Sequence, residues 1–219
     1  MALRTESNFS YLFTGLVVLL VVEPIGDAML GRSNDHLIGM MLGFLLLLGV
    51  WGLQPSRRWR LAGRGLVVAC VGFGIASAVW QLPLLQAAAA FVGCLFFLLS
   101  IGIGLRQILA PGPVTLNHLL GAASVYLMLG LVWALVFWGV NALVPGAFAG
   151  VKDGTTGEFI YFSFITLATL GYGDVAPVHP IVRTIAYFEA VVGQLYVAVL
   201  VASLVSRHVA NRQHERPPV

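Results

Sequence analysis

The residues best able to do chemistry lie in one short stretch, Thr169, Leu170, Gly171, Tyr172, Gly173 and Asp174. Two glycines flank an aromatic residue, and glycine reaches backbone angles closed to other residues, so successive carbonyl oxygens can be turned one way. Just upstream, Thr155 with Glu158 ahead of an apolar run is a capping-box pattern, which predicts a helix from there towards Leu170. The negative end of that helix's dipole would face the glycine-flanked turn and attract cations. Taken alone, GlyTyrGlyAsp reads as a surface turn. What decides between a turn and a cation site is the set of elements around it.

Those elements are membrane helices. Of 219 residues 59% are hydrophobic and only 10% charged, and the mean hydropathy is +0.92. Twelve Lys+Arg and nine Asp+Glu cannot clothe so apolar a chain in a solvated shell, which excludes a soluble enzyme and a disordered chain. No catalytic residues are needed for the reading that follows. The basic residues sit between apolar runs rather than along one face, so no nucleic-acid partner is expected. Cys70 and Cys94 both fall inside apolar runs, which argues against a disulfide framework or a zinc site.

A bilayer core of roughly 30 Å needs about 20 apolar residues of helix. Runs at 9–22, 37–53, 65–80, 84–105, 119–140 and 184–206 give six expected spans, with the end of the first left open by Glu23, Pro24 and Asp27. With both termini inside, the cytoplasmic side holds Arg4, Arg57, Arg58, Arg60, Arg64, Arg106, Arg207, Arg212 and Arg216, against Arg32, Lys152 and Arg183 outside. That asymmetry predicts a multi-pass protein of the cell membrane with both termini cytoplasmic. ProGlyPro at 111–113 breaks the composition and sets a boundary. The expected domains are a four-helix scaffold at 1–110, a second unit at 111–206, and a short basic cytoplasmic tail at 207–219 that also touches anionic lipid.

The segment 155–175 lies between the last two spans and is too short and too interrupted to cross. It must enter the membrane and return. A helix of about a dozen residues rises roughly 18 Å, so its end would stop near mid-membrane.

ThrLeuGlyTyrGlyAsp at 169–174, so placed, resembles the selectivity filter of potassium channels, whose TVGYG loop is closely similar. The resemblance covers residues 114–206 and is closest to bacterial channels with a two-helix pore and additional N-terminal helices. It implies an all-α membrane protein of six transmembrane helices, with a re-entrant pore helix and filter loop between the fifth and sixth. It implies K⁺ bound by the oxygens of Thr169, Leu170, Gly171 and Tyr172, with Gly173 and Asp174 closing the outer mouth. Leu170 stands where Val or Ile is usual, and its carbonyl is unchanged. Gly193, 19 residues beyond Asp174, matches the spacing of a hinge in the pore-lining helix of simple members of the family. Tyr161, Phe162 and Phe164 resemble the aromatic cuff that braces the filter, and on their own terms read equally as ordinary core packing. Four filter strands must surround the ion path, which implies a homotetramer.

Two residues in this region also read on their own terms. Glu189 lies in the last span, where an ionisable group is costly without a partner. It is expected either to bond behind the filter, to the pore helix or near Tyr172 and Asp174, or to sit protonated within its own bundle. Gly193 reads equally as a packing glycine.

The fourth span carries no Lys or Arg from 84 to 105, so it lacks the roughly 3 to 4 gating charges of a voltage sensor. The whole therefore reads as a passive potassium-selective channel. It implies no cofactor, with K⁺ as the permeant ion and membrane lipid as surroundings. A nonselective cation channel on the same pore fold is the alternative. A transporter fits less well, because only one re-entrant segment and one deep carboxyl are present.

Overall fold

The computed structural model describes residues 9–30, 57–80, 82–110 and 115–214. The chain is mostly helical: α1 (Phe9–Leu30), α2 (Arg57–Trp80), α3 (Pro83–Ile108), α4 (Leu116–Leu143), α5 (Thr156–Leu167) and α6 (Pro180–His214). Two short strands, β1 (Phe148–Ala149) and β2 (Ala176–Pro177), flank α5.

Among the described residues three helices are long and apolar enough to cross a membrane: α3, α4 and the Pro180–Ser203 part of α6. α1 and α2 contain shorter apolar stretches, Phe9–Val22 and Gly65–Ser77. The run expected at 37–53 and the ProGlyPro boundary at 111–113 lie outside the described residues.

Several helix ends differ from the sequence expectation for identifiable reasons. α6 begins at Pro180 rather than 184. Proline suits the first helical position, where its missing amide has no partner to lose. α6 then runs to His214, so much of the expected tail at 207–219 continues the helix. α1 runs past Pro24 to Leu30. α5 stops at Leu167, three residues short of the expected end, in a turn described below.

α4 is the hub, packed against α1, α3, α5 and α6 of its own chain. Small residues permit the close approach of α3: a β-carbon at Gly139 would lie 3.0 Å from Ala90 Cβ, and one at Gly93 would lie 2.8 Å from Leu135 Cδ1. α1 is tied to the start of α4 where the Phe9 amide donates to Asn117 Oδ1 at 2.9 Å. Phe9, Leu12, Leu16, Leu19, Val125, Met128 and Leu131 bury their side chains between these helices. The N-terminal helices thus buttress α4, which in turn packs on α5.

A second core is aromatic. Phe137 of α4, Phe148 of β1, and Phe159 and Phe162 of α5 meet edge to face at centroid separations of 4.9–5.7 Å. This geometry sets the ring edge of one against the negative face of the next. It fixes the first two turns of α5 against α4 and β1.

Candidate functional site

α5 is started by a reciprocal cap. The Glu158 amide donates to Thr155 Oγ1 at 3.4 Å, and the Glu158 carboxylate accepts from the Thr155 amide at 3.2 Å, the pairing its sequence predicts. The same carboxylate also accepts from the amides of Lys152, Asp153 and Gly154 at 2.8–3.2 Å. Partial desolvation works to raise the Glu158 pKa, but these four amide bonds outweigh it and hold the carboxyl below the usual glutamate range. Glu158 is therefore committed to the loop before α5.

The other end of α5 is more unusual. The Thr169 amide donates to the Thr166 carbonyl at 2.9 Å and the Leu170 amide to the Ile165 carbonyl at 2.8 Å. Together with the right-handed cap residue Ala168, this is a Schellman motif, which needs a left-handed residue at Thr169. Thr169 has φ +57°, the one non-glycine residue with positive φ among those described. Glycine normally takes this position, since a β-branched side chain is strained there. Gly171 at φ +54° and Gly173 at φ +80° repeat the left-handed turn at every second residue. The Gly171 amide also points back to the Ile165 carbonyl, at 3.3 Å. Residues 169–174 are all exposed in the single chain.

The segment beyond the turn is strapped to the loop before α5. β1 and β2 pair antiparallel, Phe148 opposite Pro177 and Ala149 opposite Ala176. The amides of Val178 and His179 both reach the Ala147 carbonyl, at 2.9 and 3.2 Å. Gly150, at φ +82°, lets its backbone lie against the Asp174 carbonyl, where a β-carbon would overlap. Tyr161 donates its hydroxyl to Asp174 Oδ2 at 2.8 Å. That bond holds the Asp174 carboxyl below the usual aspartate range and pushes the Tyr161 phenol up.

Behind the turn, Ser163, Glu189 and Gly193 line the seam between α5 and its neighbours. Glu189 is fully buried, and its Oε1 lies 2.5 Å from Ser163 Oγ. Its bond is thus to the pore-helix side of the expectation and not to Tyr172 or Asp174. Gly193 sits in an unbroken stretch of α6, where a β-carbon would lie 2.6 Å from the Leu167 carbonyl oxygen and 2.8 Å from Leu167 Cδ1. This close approach is what the glycine supplies in the structure. Below it Tyr196 donates to the Ala122 carbonyl at 2.7 Å, linking α6 to α4.

The aromatic residues of α5 part company, because neighbours on a helix face different ways. Tyr161 reaches the Asp174 side, Phe162 enters the aromatic core, and Phe164 lies on α4, where a β-carbon at Gly130 would be 2.7 Å from its ring. They form no single cuff within one chain.

Sequence reasoning passed over Ser163, Gly150 and Gly130. Ser163 was visible as a lone hydroxyl in an apolar half-helix. The two glycines gave no signal, since their partners lie 24 and 33 or more residues away in the chain.

Comparison with known proteins marks the same region. Residues 116–209, from the start of α4 into the far end of α6, match the family model described as ion channel. The inward rectifier potassium channel Kirbac3.1 of Paramagnetospirillum magnetotacticum is 28% identical over 95 residues, which is 43% of this chain and 30% of that protein. The two pore potassium channel c of Oryza sativa subsp. japonica is 28% identical over 94 residues, 42% of this chain and 20% of that protein. The chain therefore spans less than a third of the length of these curated relatives. No solved structure matches it. The apolar helices and this similarity together suit a multi-pass membrane protein whose α4–α6 region is similar to ion channel domains.

Proposed function

We propose that this chain is one subunit of a homotetrameric, potassium-selective channel that conducts K⁺ passively through residues 169–173. The observation that carries this reading is the alternation of left-handed backbone at Thr169, Gly171 and Gly173 immediately beyond a half-length helix. Reversing the sign of φ at every second residue rotates the peptide planes in between, so that carbonyls gather on one side of a strand. The Leu170 and Gly171 amides turn the other way, to Ile165. Such a strand offers oxygens of Thr169, Leu170, Gly171 and Tyr172 to a dehydrated K⁺.

A strained threonine at the first of these positions supports a functional demand for its hydroxyl. Strain of this kind, roughly 1–3 kcal/mol, persists where the surroundings over-determine it, and it clusters at functional sites. One chain provides one strand, and an ion needs oxygens on all sides, so four copies around a cyclic axis complete the site. The exposure of residues 169–174 and of Val191, Leu195 and Val199 on α6 fits burial against neighbouring copies. Both termini are assigned to the cytoplasm, and Asp174 to the outer mouth.

The test is K⁺ efflux from proteoliposomes containing the purified full chain, followed with a voltage-sensitive dye. Wild type is expected to polarise vesicles under an outward K⁺ gradient and Gly171→Ala to abolish the signal. Wild-type vesicles that do not polarise would overturn the reading.

A further inference from the structure

Ser163 sits in the middle of α5 with no exposed surface, and its single hydroxyl oxygen has two buried oxygen neighbours. One is the Gly130 carbonyl of α4 at 2.8 Å; the other is Glu189 Oε1 of α6 at 2.5 Å. A serine hydroxyl has one proton to donate, and a carbonyl has none. One hydroxyl proton shared between both acceptors would make only a weaker three-centre bond, so two full hydrogen bonds need a second proton between Ser163 and Glu189, and the group that can hold it is the Glu189 carboxyl. The other carboxyl oxygen, Oε2, is buried and has no hydrogen-bond partner among the described residues. An ionised carboxylate there would rest on a single donor inside an apolar seam, an arrangement that strongly disfavours charge. A neutral acid leaves one bare oxygen, a far smaller cost.

We propose that Glu189 carries a proton in the folded protein and heads a neutral relay, its O–H donating to Ser163 Oγ and the Ser163 O–H donating to the Gly130 carbonyl. The relay ties together one residue from each of α6, α5 and α4. It crosses the seam about one turn of α6 before Gly193, which packs on Leu167 at the C-terminal end of α5, so it fixes the height and rotation of α5. Glu189 and Ser163 are positioning residues: neither touches an ion, and both act through the helix that holds Thr169. At the same residue the Phe164 ring occupies the place of a β-carbon, which is why position 130 suits a glycine. The relay's effect on conduction rests on the channel reading above, whereas the proton itself does not.

The experiment is infrared difference spectroscopy on the full chain in lipid vesicles at neutral pH, wild type against Glu189→Gln, in light and heavy water. A protonated-carboxyl stretch present in wild type and missing in the variant is expected. Loss of the paired carboxylate bands instead would overturn the proposal. Ser163→Ala keeps the carboxyl and removes its acceptor, so the same stretch is expected to move to higher frequency. An unmoved band would contradict the relay. In the efflux assay Glu189→Gln is expected to retain K⁺ flux, because the amide N–H can replace the acid O–H, while Glu189→Ala loses most of it. Equal flux from both would contradict the positioning role. Absent wild-type flux with the carboxyl band intact would instead count against the channel reading alone.

Discussion

Gly150 and Asp174, separated by the whole of α5 and the turn after it, meet backbone to backbone: the Asp174 carbonyl occupies the space where residue 150 would carry a β-carbon. The contact lies just beyond the β1–β2 ribbon, whose next pair would set Gly150 opposite Val175, and it holds the segment after the candidate filter to the loop before α5. Gly150→Ala must therefore displace Asp174 or break the ribbon, and it also strains a left-handed residue by about 1–2 kcal/mol. The expected outcome is a lower thermal midpoint and a current that declines during sustained recording. A variant with wild-type stability and steady current would show that the ribbon does not position the turn.

Glu158 fastens the other end of the same loop. Its carboxyl is held low by four amide bonds, so its contribution to stability is present above the ordinary glutamate pKa and is lost as pH falls through the lower, folded value. The thermal midpoint should stay level from neutral pH down to the ordinary glutamate range and drop in stronger acid. Glu158→Gln should cost about 1 kcal/mol at neutral pH, the usual effect of losing a helix cap, and should flatten that acid drop. Calorimetry on wild type and variant at matched pH checks both.

Thr169 offers a separation of stability from function. Glycine at this position relieves the left-handed strain and satisfies the Schellman motif, but it removes the hydroxyl. Thr169→Gly should leave the thermal midpoint equal or higher while reducing the preference for K⁺ over Na⁺. A variant that keeps full selectivity would mean that the hydroxyl is not a ligand.

Gly193→Ala distinguishes packing from bending. A methyl group there would press on the Leu167 carbonyl and side chain, and overpacking of this sort costs about 1–3 kcal/mol. The packing account predicts loss of stability together with altered conduction. A variant of normal stability whose only change is reduced opening would favour a hinge at this glycine.

Much of this arrangement was legible in the chain, and the reasons for the gaps are local. The span-length apolar runs and the Thr155–Glu158 pattern placed α3, α4, α5 and α6 because hydrophobic length and capping chemistry are contiguous signals. The alternating glycines at 171 and 173 marked the special backbone, but nothing in the sequence showed that Thr169 shares it; that follows from where the Schellman turn ends α5. Glu189 announced itself as a deep carboxyl, while its partner Ser163 is 26 residues away and became visible only when α5 and α6 were brought together. The Gly150 contact and the parting of Tyr161, Phe162 and Phe164 were hidden for the same reason, since they depend on helix rotation and strand register rather than on composition.

The most direct test of the central claim is the reversal potential of the purified full chain in a planar bilayer with K⁺ on one side and Na⁺ on the other. A reversal close to the K⁺ equilibrium potential, lost on Gly171→Ala, is the predicted result. A reversal near zero with current intact would contradict potassium selectivity and leave a nonselective cation pore.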